Sequence, residues 1–176
     1  MIALLLIPSW QALHPLIVHF PIALLLTAPL FILVGAFQKR PSGRTFLLAA
    51  LILMLLGTAC TFIAASTGEA AGRQARQTPE VRALLAQHKE LAQTTEITFS
   101  ALTAIFAAIL LLPRLLRRDP NPVISTLLPL IFLIFYAAGA VLLVHVASDG
   151  GQLVHGLGVG AAVSPERTAA EPQAGR

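Results

Sequence analysis

The chain is poor in most of what a soluble enzyme is built from. It has one cysteine, Cys60, in 176 residues. That excludes a disulfide within the chain and covalent haem attachment through Cys-x-x-Cys-His. Charged residues make up 11% of the sequence, against about 25% in an ordinary soluble domain. No His-Glu-x-x-His or other tight metal motif occurs, and no phosphate-binding loop. No nucleophile sits beside a base in a recognisable setting, so an enzyme acting alone is not expected. Glycines 150, 151, 156, 158 and 160 superficially resemble a dinucleotide loop. They follow an apolar helix and not a strand, which removes that reading. No internal repeat is found.

What is present is apolar. Hydrophobic residues make up 56% of the chain, gathered in stretches 16–37, 46–66, 93–112 and 123–147. Each is close to the roughly 20 residues that cross a bilayer as a helix. Backbone groups in lipid must be satisfied within the segment, so helices are the expected form. The expectation is an all-α integral membrane protein, a four-transmembrane-helix bundle with the lipid bilayer as its solvent. It forms one membrane domain over 1–161, followed by a disordered polar tail at 162–176.

The net charge of +4 does not point to nucleic acid, because of where the charges lie. Lys39, Arg40 and Arg44 stand between the first two spans, and Arg114, Arg117 and Arg118 between the last two. Six of the twelve basic residues thus occupy two short loops. The positive-inside rule assigns both loops to the cytoplasm and both termini to the outside. "MIALLLIPSW" is apolar, but short and without a basic start. It reads as an interfacial segment with Trp10 at headgroup level rather than a cleaved signal.

Local signals set the helix ends. His14 before Pro15 reads as an N-cap followed by a first-turn proline. Pro21 deprives the carbonyl of Ile17 of its donor, and Pro29 is a second potential bend. Gly57, Thr61 and Ala65 place small residues on one face of span two, which lets helices approach closely. Thr78, Pro79 and Glu80 open a helix running to about Leu112. Val81, Leu84, Leu85, His88, Ala92, Thr95 and Phe99 share one face of it. The third helix is therefore expected to extend beyond the membrane on the outer side. Span four is expected to end near His145, with "SDGGQLVHGLGVG" an irregular segment after it.

Topology then sorts the chemistry. His14, His19, His88, His145 and His155 all fall at or beyond the outer ends, with Glu69, Glu96 and Asp149. Neutral imidazole is a ligand for haem iron, zinc or copper, and bundles hold cofactors between facing helices. One b-type haem near the outer face is the leading expectation. His19 and His88 are its first ligand pair, with His14 and His145 as further candidates. Gly57, Ala64 and Gly68 are expected to give the ring clearance. A non-redox metal or proton site of His14, His19, His88 and Glu96 is the alternative. A third reading is a structural or assembly subunit whose histidines satisfy helix ends. Tyr136 and Cys60 read as structural. A transporter is poorly supported, because the inner half offers no polar path.

"HPLIVHFPIALLL" at 14–26 resembles the signature of a bacterial membrane family, domain of unknown function 2231. The likeness extends to Thr67-Gly68, to His88, to Gly150-Gly151-Gln152-Leu153-Val154 and to Gly158-Val159-Gly160. It covers about 14–161. His155 stands where that family is expected to carry an aromatic residue. The resemblance implies four spans and strengthens His14, His19 and His88. Some relatives are joined to cytochrome or Rieske-type modules, which implies a redox partner at the outer face.

Overall fold

The structure is a computed structural model that describes residues 10–39, 41–75, 78–117 and 121–159. The tail from 162 lies outside these, as do residues 1–9, Arg40, Arg118 and Gly160. A 3-10 turn at Trp10–Leu13, with Trp10 exposed, leads into α1 (His14–Ile17) and α2 (His19–Phe37). Then follow α3 (Ser42–Gln74), α4 (Pro79–Leu115) and α5 (Pro122–Gly151). Among the described residues there is no strand.

Four helical segments are long and apolar enough to cross a membrane, α1 and α2 together making the first. Each of α2, α3, α4 and α5 packs on its chain neighbours, and α5 closes back on α2. The result is an up-down-up-down four-helix bundle with no close diagonal pair. Large apolar side chains cover its outside, among them Leu30, Phe37, Ile52, Ile105, Ile134 and Phe135. In water these would be a liability; in hydrocarbon they are the solvated face.

Several helix ends differ from the expected ones. The first span is interrupted at Val18, so Pro21 falls in the first turn of α2, where a missing N–H costs little. His14 is not a cap: Leu13 occupies that position and makes no side-chain capping bond. α3 runs to Gln74, well past Ser66, so Thr67-Gly68 is helical. α5 continues through His145 to Gly151 and passes into a π-helical turn at Gln152–Gly156. The glycines at 150 and 151 are therefore helical. α4 behaves as expected. Thr78 caps it by accepting from the Val81 N–H at 3.3 Å, and its 37 residues span about 55 Å at about 1.5 Å per residue. It does not project alone, since α3 rises beside it. The pair is tied by Lys89–Glu69 at 3.8 Å, and the Leu85 side chain lies 3.1 Å from where a Gly72 Cβ would sit.

The core is a column of apolar side chains crossed by a few polar links. Phe106 stacks on Phe132 with centroids 4.9 Å apart, and Phe99 meets Tyr136 edge-on at 5.5 Å. Thr58 and Thr103 share a hydroxyl hydrogen bond of 2.9 Å between α3 and α4. Gly57 lets α3 close on α2: a Cβ there would lie 2.7 Å from the Leu25 side chain. Pro29 sits inside α2 and has no N–H to offer the carbonyl four residues back, that of Leu25. The buried Tyr136 hydroxyl donates to that carbonyl at 2.7 Å. An acceptor freed in hydrocarbon is thereby met from α5.

Tyr136→Phe should destabilise the bundle by about 0.6–1.7 kcal/mol, the range for a polar link between membrane helices. In a Pro29→Ala background, where residue 29 can donate to Leu25 itself, the same change should cost less. A double-mutant cycle on unfolding in detergent measures the coupling. Equal costs in both backgrounds would separate Tyr136 from Pro29.

Candidate functional site

Chain direction brings two histidines to one end. α1 and α4 both start there, while α3 and α5 both finish there. His14 opens α1 and His88 lies in the third turn of α4. The arriving helices present Thr67-Gly68 and Asp149-Gly150.

Each imidazole is seated on one of these glycines. A Cβ on Gly68 would lie 2.7 Å from His14 Cε1 and 3.2 Å from both ring nitrogens. A Cβ on Gly150 would lie 3.2 Å from His88 Cε1. Both seats follow a serine and a polar residue, Ser66-Thr67 and Ser148-Asp149. The sequence shows no long repeat, yet this small device is used twice, once per helix pair.

Thr67 sets the state of His14. Its hydroxyl is fully buried and lies 3.0 Å and 2.9 Å from the carbonyls of Ile63 and Ala64. A hydroxyl has one proton, and here it goes to the helix backbone. The Thr67 oxygen then accepts from His14 Nδ1–H, at 3.1 Å. With the Thr67 proton on the backbone, neutral His14 has its proton on Nδ1 and the lone pair of Nε2 free.

His88 is held differently. Its Nδ1 is shut off from solvent and has no hydrogen-bond partner. The Asp149 carboxylate acts on the ring electrostatically. Asp149 is itself buried and accepts from Gln87 Nε2 at 3.1 Å. His14 and His88 stand at the same end of the bundle, one on Gly68 of α3 and the other on Gly150 of α5.

The remaining candidates are elsewhere. His19 is exposed, whereas His14 is half-buried against Gly68. His145 is exposed with Nδ1 3.0 Å from its own helix's Val141 carbonyl. His155 is exposed in the π-helical turn. Glu96 is half-buried, two turns further along α4, with Oε1 shut off and unpartnered. Among the described residues no three His, Cys, Asp or Glu side chains are grouped to share a metal ion. The expected ring clearance is also taken up, at Gly57 by Leu25 and at Gly68 by His14 itself.

Thr67, Asp149 and Gly150 were named in the sequence but given no role in the site. Their signal was the recurring serine, polar residue and glycine near the ends of spans two and four. Residues 11–163 match the model of a family described as predicted membrane protein (DUF2231). No curated protein and no solved structure matches the chain.

Gly68→Ala should push the His14 ring off its seat and break the bond to Thr67, whereas Gly150→Ala should perturb His88 less. Nitrogen chemical shifts of labelled histidine report this directly. His14 should lose its Nδ1–H signature in the first variant, and His88 should keep its shifts in the second. An unchanged His14 tautomer in Gly68→Ala would contradict the seating.

Proposed function

The chain belongs to the DUF2231 family of predicted membrane proteins, and from that premise we propose that it is a non-catalytic electron-transfer subunit holding one b-type haem. His14 and His88 are the imidazole ligands in this reading, in place of His19 and His88.

What supports it is the 3.1 Å hydrogen bond between His14 Nδ1 and the Thr67 hydroxyl, which also lies against carbonyls of its own helix. A ring nitrogen that donates to Thr67 leaves the other free for a metal, the orientation that ligating histidines commonly have. Asp149 is a buried carboxylate next to Gly150, the seat of His88. Ligand number favours haem over a bare ion. Two imidazoles suffice for haem iron, because the macrocycle supplies the other protein-independent donors. A zinc or copper ion usually takes three or four side chains. His19, His145 and Glu96 then have no ligand role.

The positive-inside rule supports the orientation of this reading. The basic loops face the cytoplasm of a bacterial inner membrane, and the histidine end faces outward, toward a cytochrome or Rieske-type partner.

One observation favours a second reading. The glycine clearances are already filled by Leu25 and His14. In that reading the histidines are packing elements of a cofactor-free structural or assembly subunit.

The two readings part on a reduced-minus-oxidised spectrum of protein purified in detergent after expression with haem supplied. The electron-transfer reading expects a b-type alpha band and about one haem per chain, lost in His14→Ala and in His88→Ala. His19→Ala should keep the band. A flat spectrum, with the two substitutions lowering only thermal stability, would leave the structural reading standing.

A further inference from the structure

The opposite end of the bundle carries a second feature that the histidine site does not use. A cleft of about 940 Å³ opens between the helix ends there, and Lys39, Arg44, Arg114 and Arg117 all line it. These come from both basic loops and the helix turns beside them. Its deeper wall is apolar, with Leu47, Ile109 and Leu128 among the lining residues.

Charge balance makes the cleft unusual. Among the described residues the ion pairs are Arg73–Glu69 and Lys89–Glu69, both at the histidine end. None of the four cleft cations takes part in them. The positive-inside rule accounts for basic loops, but it asks only that the charges be in the loops. It does not ask that four of them surround one cavity. The C-termini of α2 and α4 attract cations at this end, but a helix terminus carries only about half a unit charge. Four full charges exceed that demand.

We propose that this cleft binds a phosphate-bearing anion. Arg44 of α3 and Arg114 of α4 are the main contacts, with Lys39 and Arg117 from the adjoining turns. Guanidinium groups recognise phosphate oxygens through paired N–H donors. Two sources have this chemistry at a membrane surface: the headgroup of an anionic phospholipid, and a free phosphate or phosphoester. The apolar wall next to the charges suits acyl chains, and basic pockets between membrane helices are known seats for such headgroups.

The test uses the full-length protein, purified in detergent and stripped of lipid, at constant ionic strength. A detergent micelle has no inside, so topology cannot produce the result. Unfolding temperature is read with phosphatidylglycerol, with phosphatidylcholine and with inorganic phosphate. Phosphatidylglycerol is expected to raise it by about 5 °C or more, and phosphatidylcholine to leave it unchanged. The double substitution Arg44→Gln with Arg114→Gln should abolish most of that rise, and Arg44→Lys with Arg114→Lys should keep part of it. A shift with phosphatidylglycerol alone assigns the site to a lipid headgroup; a shift with inorganic phosphate assigns it to free anions. If the glutamine pair fails to fold, Lys39→Gln with Arg117→Gln replaces it and should reduce the rise. No shift with either anion, an equal shift with phosphatidylcholine, or a full shift in both glutamine pairs would overturn the proposal.

Discussion

A carbonyl without a donor is the point on which the bundle turns. In hydrocarbon no water can satisfy it, so the protein must. Pro29 creates that vacancy at Leu25, and the only tyrosine of the chain, Tyr136, fills it from α5. The link joins the first span to the last and so closes the ring of helices. It also fixes how far α5 slides along α2. Aromatic packing of Phe99, Phe132 and Phe106 around Tyr136 then extends the same register to α4. Apolar contacts alone hold register weakly in lipid, because a leucine gains little by exchanging a lipid neighbour for a protein one. A directional bond does not tolerate sliding.

That register decides what meets at the histidine end. Moving α3 by one residue would take Gly68 from under His14 and put Glu69 or Thr67 there. Moving α5 would take Gly150 from His88. At Gly68 a methyl group would collide with the His14 ring, and at Gly150 it would make a tight contact with His88. Polar placement follows the same rule as at Tyr136. Thr67 turns its proton to its own helix, which is what makes its oxygen available to His14. The two ends of the molecule are consequently unlike in kind. One holds imidazoles seated on glycines and a buried carboxylate. The other gathers four basic residues around a cavity.

Much of this was legible before any coordinates. Four apolar stretches and a helical period of small and apolar residues are enough for a membrane bundle, since a bilayer leaves few alternatives. The Thr78-Pro79-Glu80 start of α4 and its apolar face were legible for the same local reasons. Helix ends were less so. Ser66 and His145 looked like boundaries because polar residues follow them, but α3 and α5 each go on for further turns. They continue because a neighbour is there to pack on: Gly72 against Leu85, and Leu153 buried past the end of α5. A partner in space does not show in a local window of sequence.

The site divides along the same line. Composition and charge order by themselves determined that this is a four-span membrane protein with basic loops at one end and histidines at the other. Those properties follow from hydropathy and from chain direction, which are read residue by residue. How each histidine is seated was decided only by the tertiary structure. His19 looked like the stronger candidate because it stands inside an apolar run, yet its ring is exposed. His14 looked like a cap and is instead bound to a threonine 53 positions away. The rotation of each helix about its axis, and its sliding against its neighbours, set these outcomes. Both depend on contacts between residues far apart in the chain, above all the bond from Tyr136 to Leu25.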